Sequence, residues 1–294
     1  MMVRKLALLL GLGLFAAAPL HARCEARFET LTETAGVVTL DPFDPSPFER
    51  TLRVTIRNSG SDPCRLGLSA TDRALGQRLL TETDVAYDLI WENLPIPNYD
   101  TPVPGRELSI RPNDTREFFI SVQVRRPIKA QPRPTEAVFT LRLHDLDRGD
   151  AVVAEQDARL AANIVAVAQI NIAGSSSSFD RNYGISAIDF GTLETGKRQT
   201  VYVQVRGNSS MRMTVESTNA GLLRHEAIAG APGISYNVDI LGQSFAPVTR
   251  RQFNGLLSTG LYGANIPMTL VIGQVGDVPA GRYSDVLTLS IEPE

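Results

Sequence analysis

Four short segments of the chain recur in the same order at almost constant separation. TLRVTIRNSG (51–60) parallels TVYVQVRGNS (200–209), and YDLIW (87–91) parallels YNVDI (236–240). FFISVQV (118–124) parallels IPMTLVI (266–272), and VFTLRL (138–143) parallels VLTLSI (286–291). The separations are 149, 149, 148 and 148 residues. One such match between short alternating stretches carries little weight. Four in order point to a duplicated unit, so the fold must be one that closes twice within this length.

The repeated segments alternate. In TLRVTIRN, Leu52, Val54 and Ile56 share one face and Arg53, Thr55 and Arg57 the other, the period of a half-buried strand. Such stretches of about six residues, rich in Thr and Val and separated by Pro, Gly, Asn and Asp, predict two tandem immunoglobulin-like antiparallel β-sandwiches in an all-β chain without helices of any length. Strands are expected in the first copy near 26–40, 50–58, 64–70, 85–91, 116–125 and 136–144. The segment DARLAANIVAVAQINIAG (157–174) is long enough to finish the first sandwich and begin the second. The boundary is placed near Val165–Ala166, giving units 23–165 and 166–294 with no flexible linker. The second copy ends on GRYSDVLTLSIEPE (281–294), with Asp285, Leu287, Leu289 and Ile291 on one face. By this count the first unit completes itself and the second lacks its last strand, so a neighbour for its final strand must come from another protein.

Arg4 and Lys5 followed by LALLLGLGLFAAAPL (6–20) read as a secretory signal peptide over residues 1–22, with cleavage after Ala22. Arg23 before Cys24 argues against lipidation of that cysteine. The apolar run is too short to span a bilayer comfortably, and no second run of about 20 residues follows, so no membrane insertion is expected. Removing Arg4 and Lys5 moves the formal charge from −3 to −5, with both signs interspersed, which excludes the basic patch of a nucleic-acid binder. Cys24 and Cys64 are the only cysteines; in an exported chain the pair reads as one disulfide, two buried thiols being the alternative.

AIDFGTL (187–193), ISYNVDIL (234–241) and PAGRYSDVLTLSI (279–291) resemble the spore coat protein U domain, which includes the pilins of archaic chaperone–usher pili. The G-x-Y-x-D-x-[VL]-x-[VL] ending falls on Gly281, Tyr283, Asp285, Leu287 and Leu289. The first copy matches more loosely, with DPFDPSPF (41–48) in place of the Asp-Phe-Gly segment. A two-domain chain of this size is similar to the tip adhesins of such pili. The resemblance implies donor-strand complementation, in which a periplasmic chaperone and then an adjacent pilin subunit fill the groove of the second domain. The groove is expected at Leu287, Leu289 and Ile291, facing Ile170 and Ile172. It also implies an outer-membrane usher as partner, export through the periplasm to the cell surface, a place at the pilus tip, and attachment to an abiotic or host surface with biofilm formation. Cleavage after Ala22 would leave only Arg23 before Cys24, so no segment to donate is expected, as suits a tip subunit. The family's pilin disulfide has no counterpart in the second copy, where Met211 stands near the place of Cys64.

Loops at Ser59–Pro63, Glu92–Gly105 and Asp145–Gly149 are expected to point away from the second unit. ENLPIPNYDTPVPG (92–105) is proline-stiffened and offers Leu94, Ile96, Tyr99 and Val103 as adhesive candidates, unless they fold back over the sandwich end; Trp91 just before them reads as core. Arg148-Gly149-Asp150 matches an integrin-binding triplet but is first of all turn chemistry. Asp145, Asp147 and Asp150 lack the glycine and distal glutamate of a calcium loop. GSSSSFD (174–180) reads as a solvated loop and Asn208-Ser209-Ser210 as a glycosylation pattern. His144 and His225, the histidines of the mature chain, read as solvated, and no hydrolase, metalloprotease or phosphate-loop motif is present. No enzyme, metal or cofactor is therefore expected. The other readings are a secreted surface protein that shares the domain without belonging to a pilus, and a periplasmic pilus chaperone, which would have two self-complete domains.

Overall fold

A computed structural model describes residues 24–33, 37–46, 48–72, 77–126, 129–172, 179, 187–257 and 260–294. The expected signal peptide lies outside the described residues, as does the 174–180 loop except for Phe179. No helix among the described residues is long and apolar enough to cross a membrane.

The chain forms two β-sandwiches with separate cores. In the first, one sheet runs β1 (Ala26–Glu33), β3 (Phe48–Asn58), β8 (Thr115–Val124), β5 (Tyr87–Trp91), β6 (Leu94–Pro95). The facing sheet runs β2 (Val38–Leu40), β10 (Ala151–Ile164), β9 (Arg133–Asp145), β4 (Cys64–Thr71), β7 (Leu108–Ile110). In the second sandwich one sheet runs β11 (Ala168–Ile172), β12 (Arg198–Gly207), β18 (Ala264–Ile272), β15 (Ile234–Ile240), β14 (Leu222–His225), β19 (Tyr283–Ser284), with β16 (Gln243–Phe245) also on β15. The other holds β17 (Arg251–Leu256), β13 (Met211–Ser217) and β20 (Leu287–Pro293). The only helical element among the described residues is a 3-10 turn, Leu146–Arg148.

The period-two residues face inward as expected. Leu52, Val54 and Ile56 are fully buried, and Trp91 joins the same core. Cys24 and Cys64 form a disulfide that ties the chain entering β1 to the start of β4, in the opposite sheet. Closing that 40-residue separation is worth about 4 kcal/mol in the chain-entropy account. In the second sandwich the equivalent site is filled by the buried thioether of Met211.

The long alternating segment divides into β10, which ends at Ile164, and β11, which starts at Ala168. β10 begins earlier than its alternation announces, at Ala151, because it leaves β9 through the 3-10 turn as a hairpin. A register shift between Val152 and Ala154 breaks the period there, which hides the strand start from the sequence.

The two sandwiches match strand for strand. β1-β3-β8-β5 has its counterpart in β11-β12-β18-β15, and β9-β4-β7 in β20-β13-β17. What differs is the far side of the last strand. β9 is paired along its whole length with β10, which is itself flanked by the parallel β2. Among the described residues β20 pairs with β13 alone.

Candidate functional site

The consequence is read directly from burial. Leu141 and Leu143 of β9, paired alongside Gln156 and Ala154 of β10, are 0% exposed, whereas their counterparts Leu289 and Ile291 are 7% and 8% exposed and Leu287 is half-buried. Across the sandwich Ile170 and Ile172 of β11 are buried, and β11 lies against β20. Of the five residues expected to line a groove, Ile170, Leu287, Leu289 and Ile291 thus belong to or pack against the second core, while Ile172 is buried outside that cluster.

Among the described residues one side of the β20 backbone is unpaired. Thr218 N–H donates to Val286 O at 2.9 Å and Glu294 N–H to Ser210 O at 2.8 Å, so the even-numbered residues of this strand turn their amides and carbonyls toward β13. Antiparallel pairing alternates, so Leu287, Leu289 and Ile291 turn theirs away. Among the described residues these groups meet no partner. Pro293 falls on the same outward set, where its missing N–H removes no ladder bond.

The two sandwiches treat their edges differently. The upper half of β10 carries a bulge and exposed Glu155, Asp157 and Arg159, devices that discourage a further strand. β20 pairs without register shift, has Thr288 and Ser290 at its centre, and is preceded by Val286, 63% exposed. It is the kind of edge that accepts a strand.

The residues before β20 anchor it. The Asp285 carboxylate accepts from Tyr236 Oη at 2.6 Å, Ser217 Oγ at 2.5 Å, Asn219 N at 2.9 Å and Val286 N at 2.8 Å. Burial pushes the Tyr236 hydroxyl well above the usual tyrosine range, and the bond to Asp285 adds to this. The Tyr283 ring meets His225 edge-on at 5.0 Å and its hydroxyl donates to Pro279 O at 2.8 Å. Gly281 has φ +156° and lies against the His225 ring, so a Cβ there would strike the imidazole. Each signature residue therefore has a mechanical reason to be what it is.

At the far end of the first sandwich the expected loops meet. Arg65 bridges Glu107 at 2.7 Å and Asp147 at 2.8 Å, and the Asn58 amide donates to Asp62 O and Arg111 O. Within the 92–105 loop the four adhesive candidates separate. Ile96 and Val103 belong to the core, with their amides donating to Leu89 O and Leu68 O at 2.8 and 2.9 Å. Leu94 and Tyr99 stand 37% and 60% exposed. The residue that holds them out, Arg78, is not visible as such in the sequence. Its buried guanidinium donates to Ala70 O, Ile96 O and Pro97 O, and burial lowers its pKa against the opposing pull of Tyr87, Asp72 and Asp88. Asn98 accepts from Asp72 N at 2.8 Å and completes the pin.

His144 corrects the expectation of a solvated histidine. It is buried because the turn after β9 and the loop at Pro102 fold over the outer face of β4, where Gly67 leaves room for Pro102 and Leu146. Its Nε2 meets Ser69 Oγ at 2.7 Å and its Nδ1 meets Asp150 O at 2.9 Å. With Ser69 also fully buried, the pair has no substrate access and serves packing. His225 is only partly exposed: its Nδ1 accepts from Ala227 N and Ile228 N, both at 3.0 Å. Asp145 caps the 3-10 turn, Asp147 pairs with Arg65, and no cluster able to hold a metal occurs among the described residues. Arg148, Gly149 and Asp150 are exposed at the turn, the last two with φ of 67° and 60°. Asn208 is 2% exposed with its amide engaged, which excludes it as a glycan acceptor in the folded chain.

No family model matches this chain, and no curated protein does. Several solved structures are similar at low identity. One is the CsuC–CsuE chaperone–tip adhesion subunit pre-assembly complex of archaic chaperone–usher Csu pili from Acinetobacter baumannii, 12% identical over 90% of this chain and 100% of that one, with a TM-score of 0.48. Another is the CupB6 tip adhesin from Pseudomonas aeruginosa, 8% identical over 92% and 97%, TM-score 0.39. CfaE, the adhesive subunit of CFA/I fimbria of enterotoxigenic Escherichia coli, is 13% identical over 92% and 78%, TM-score 0.35. At these scores nothing functional rests on the likeness, and the chain's own geometry has to carry the reading.

Proposed function

We propose that this chain is a two-domain adhesin of a chaperone–usher pilus, anchored through its second sandwich by a strand donated from another protein. The observation that carries the reading is the contrast between β9 and β20: equivalent strands, one paired with β10 and with Leu141 and Leu143 at 0% exposure, the other with an edge unpaired among the described residues and a stripe in which Leu287 is only half-buried. An open edge above a core stripe is satisfied by β-augmentation, where backbone bonds supply affinity and alternate side chains supply specificity. The donor would be a periplasmic chaperone first and an adjacent pilin subunit afterwards, with an outer-membrane usher handling the exchange. The first sandwich, complete in itself, is free to carry the adhesive end. There Leu94 and Tyr99, held out by Arg78 and Asn98, are the contact residues for an abiotic or host surface. The tip position and a role in biofilm formation belong to the same proposal.

The test is periplasmic expression with and without a candidate archaic-pilus chaperone, followed by size exclusion and addition of a synthetic donor-strand peptide from the major pilin of the same pilus system. The expected result is a soluble one-to-one chaperone complex that exchanges chaperone for peptide with a large rise in melting temperature. A stable monomer that ignores both chaperone and peptide would overturn the reading, in favour of a free-standing surface protein or a chaperone.

A further inference from the structure

The outer face of the β3-β8-β5 sheet of the first sandwich carries a shallow hollow of about 380 Å³, separate from β20 and bounded on one side by the start of the 92–105 loop. Its floor is Phe119, 51% exposed, with the half-buried Ile90 beside it. Strand register sets the surroundings. Phe119 lies opposite Arg53, Ser121 sits between Thr51 and Ile90, and Gln123 sits between Glu49 and Asp88. Arg53 is paired with Glu117, the Ser121 hydroxyl with Glu49, and Glu92 holds Arg106 at 2.8 Å. Glu92 and Asn93, at φ 46° and 66°, form the turn that raises one wall. The lining is therefore largely positioned before any ligand arrives, which lowers the ordering cost of binding.

A single ring flush with a sheet, surrounded by hydroxyl, amide and carboxylate groups, matches a ligand with one apolar face and a polar rim. The volume lies within the usual range of small-molecule sites. A purely apolar ligand would strip water from Glu49, Glu92 and Glu117 without replacing it. An anionic ligand would meet those three carboxylates against the single guanidinium of the lining, Arg116. We propose that this hollow binds a neutral saccharide, with the C–H face of a pyranose on Phe119 and its hydroxyls on Ser121, Gln123 and Glu49.

The probes are methyl glucoside, methyl galactoside, methyl mannoside and N-acetylglucosamine, with glucuronate and sialic acid as charged controls. Saturation-transfer NMR is recorded on the mature chain in its complemented form. At least one neutral sugar is expected to receive saturation on the protons of one ring face. Phe119→Ala should weaken that binding about ten-fold or more without changing the melting temperature, Phe119→Trp should retain it, and Tyr99→Ala should leave it unaltered. Should Phe119→Ala lower the melting temperature, Gln123→Ala decides by the same readout, since its side chain lines the hollow without entering the core. No saturation of any neutral sugar, a preference for the acidic ones, or wild-type binding by the Phe119→Ala chain (by the Gln123→Ala chain, where that variant decides) would each overturn the assignment. None of these results bears on the strand-accepting edge, which is tested separately.

Discussion

Asp285 gathers four donors from β15, from the loop after β13 and from its own strand entry, so one carboxylate sets the direction in which β20 leaves. Removing it strands a buried tyrosine hydroxyl and a backbone amide. Asp285→Ala is expected to destabilise the second sandwich by about 3 kcal/mol, while Tyr236→Phe, which removes one bond and leaves an exposable acceptor, should lose only about 1 kcal/mol. Urea unfolding of both variants and of the double variant checks this. If the losses of the two single variants simply add up to that of the double, Asp285 and Tyr236 are not acting as one unit. Arg78 makes a related point at the other end of the molecule, because a buried charge hydrogen-bonded to three carbonyls trades desolvation for a fixed loop.

An edge strand has two sides, and in β20 they are chemically distinct. The amides of Thr288, Ser290 and Glu292 point to β13, and those of Leu287, Leu289 and Ile291 point outward. Amide hydrogen exchange on the uncomplemented chain should therefore alternate along the strand, the odd-numbered amides exchanging about a hundred-fold faster than the even ones. Addition of a donor strand should slow the odd set selectively and erase the alternation. Uniform protection before any donor is added would mean that the edge is already covered. The first sandwich supplies the internal control, because β9 has strands on both sides over Thr140–Asp145 and should show no such pattern there.

At the scale of the whole molecule, the duplication reuses one residue for two purposes. Asn58 ends β3 and Asn208 directly follows the equivalent β12, and each accepts an amide from the segment that opens its own sandwich: Glu25 N at 3.3 Å and Val167 N at 2.8 Å. The Asn58 amide then ties loops at the free pole, whereas that of Asn208 donates to Ala130 O at 3.3 Å and Val165 O at 2.9 Å, in the first unit. Arg206 adds a guanidinium stacked on Phe43 at 4.5 Å, and burial lowers its pKa. Asn208→Ala should lose about 2 kcal/mol and split thermal unfolding into two separate calorimetric transitions. Asn58→Ala should lower the first unit alone, and identical traces for the two variants would refute a coupling role for Asn208.

Strand existence, the duplication, the inward stripes of β3, β9 and β20 and the shortage of one strand were all legible in the sequence. They depend on period-two alternation and local turn chemistry, which neighbouring residues determine among themselves. The open edge was legible for the same reason, as a difference of count between two copies. Burial of His144, the split of the 92–105 loop into core residues and exposed ones, and the pin made by Arg78 were not. Each depends on which surface a loop crosses after leaving its strand, and that is settled by contacts between residues distant in the chain, such as Gly67 with Pro102 or Arg78 with Ile96. Alternation tells a strand which face to bury; only the assembled sandwich decides what lies over the other.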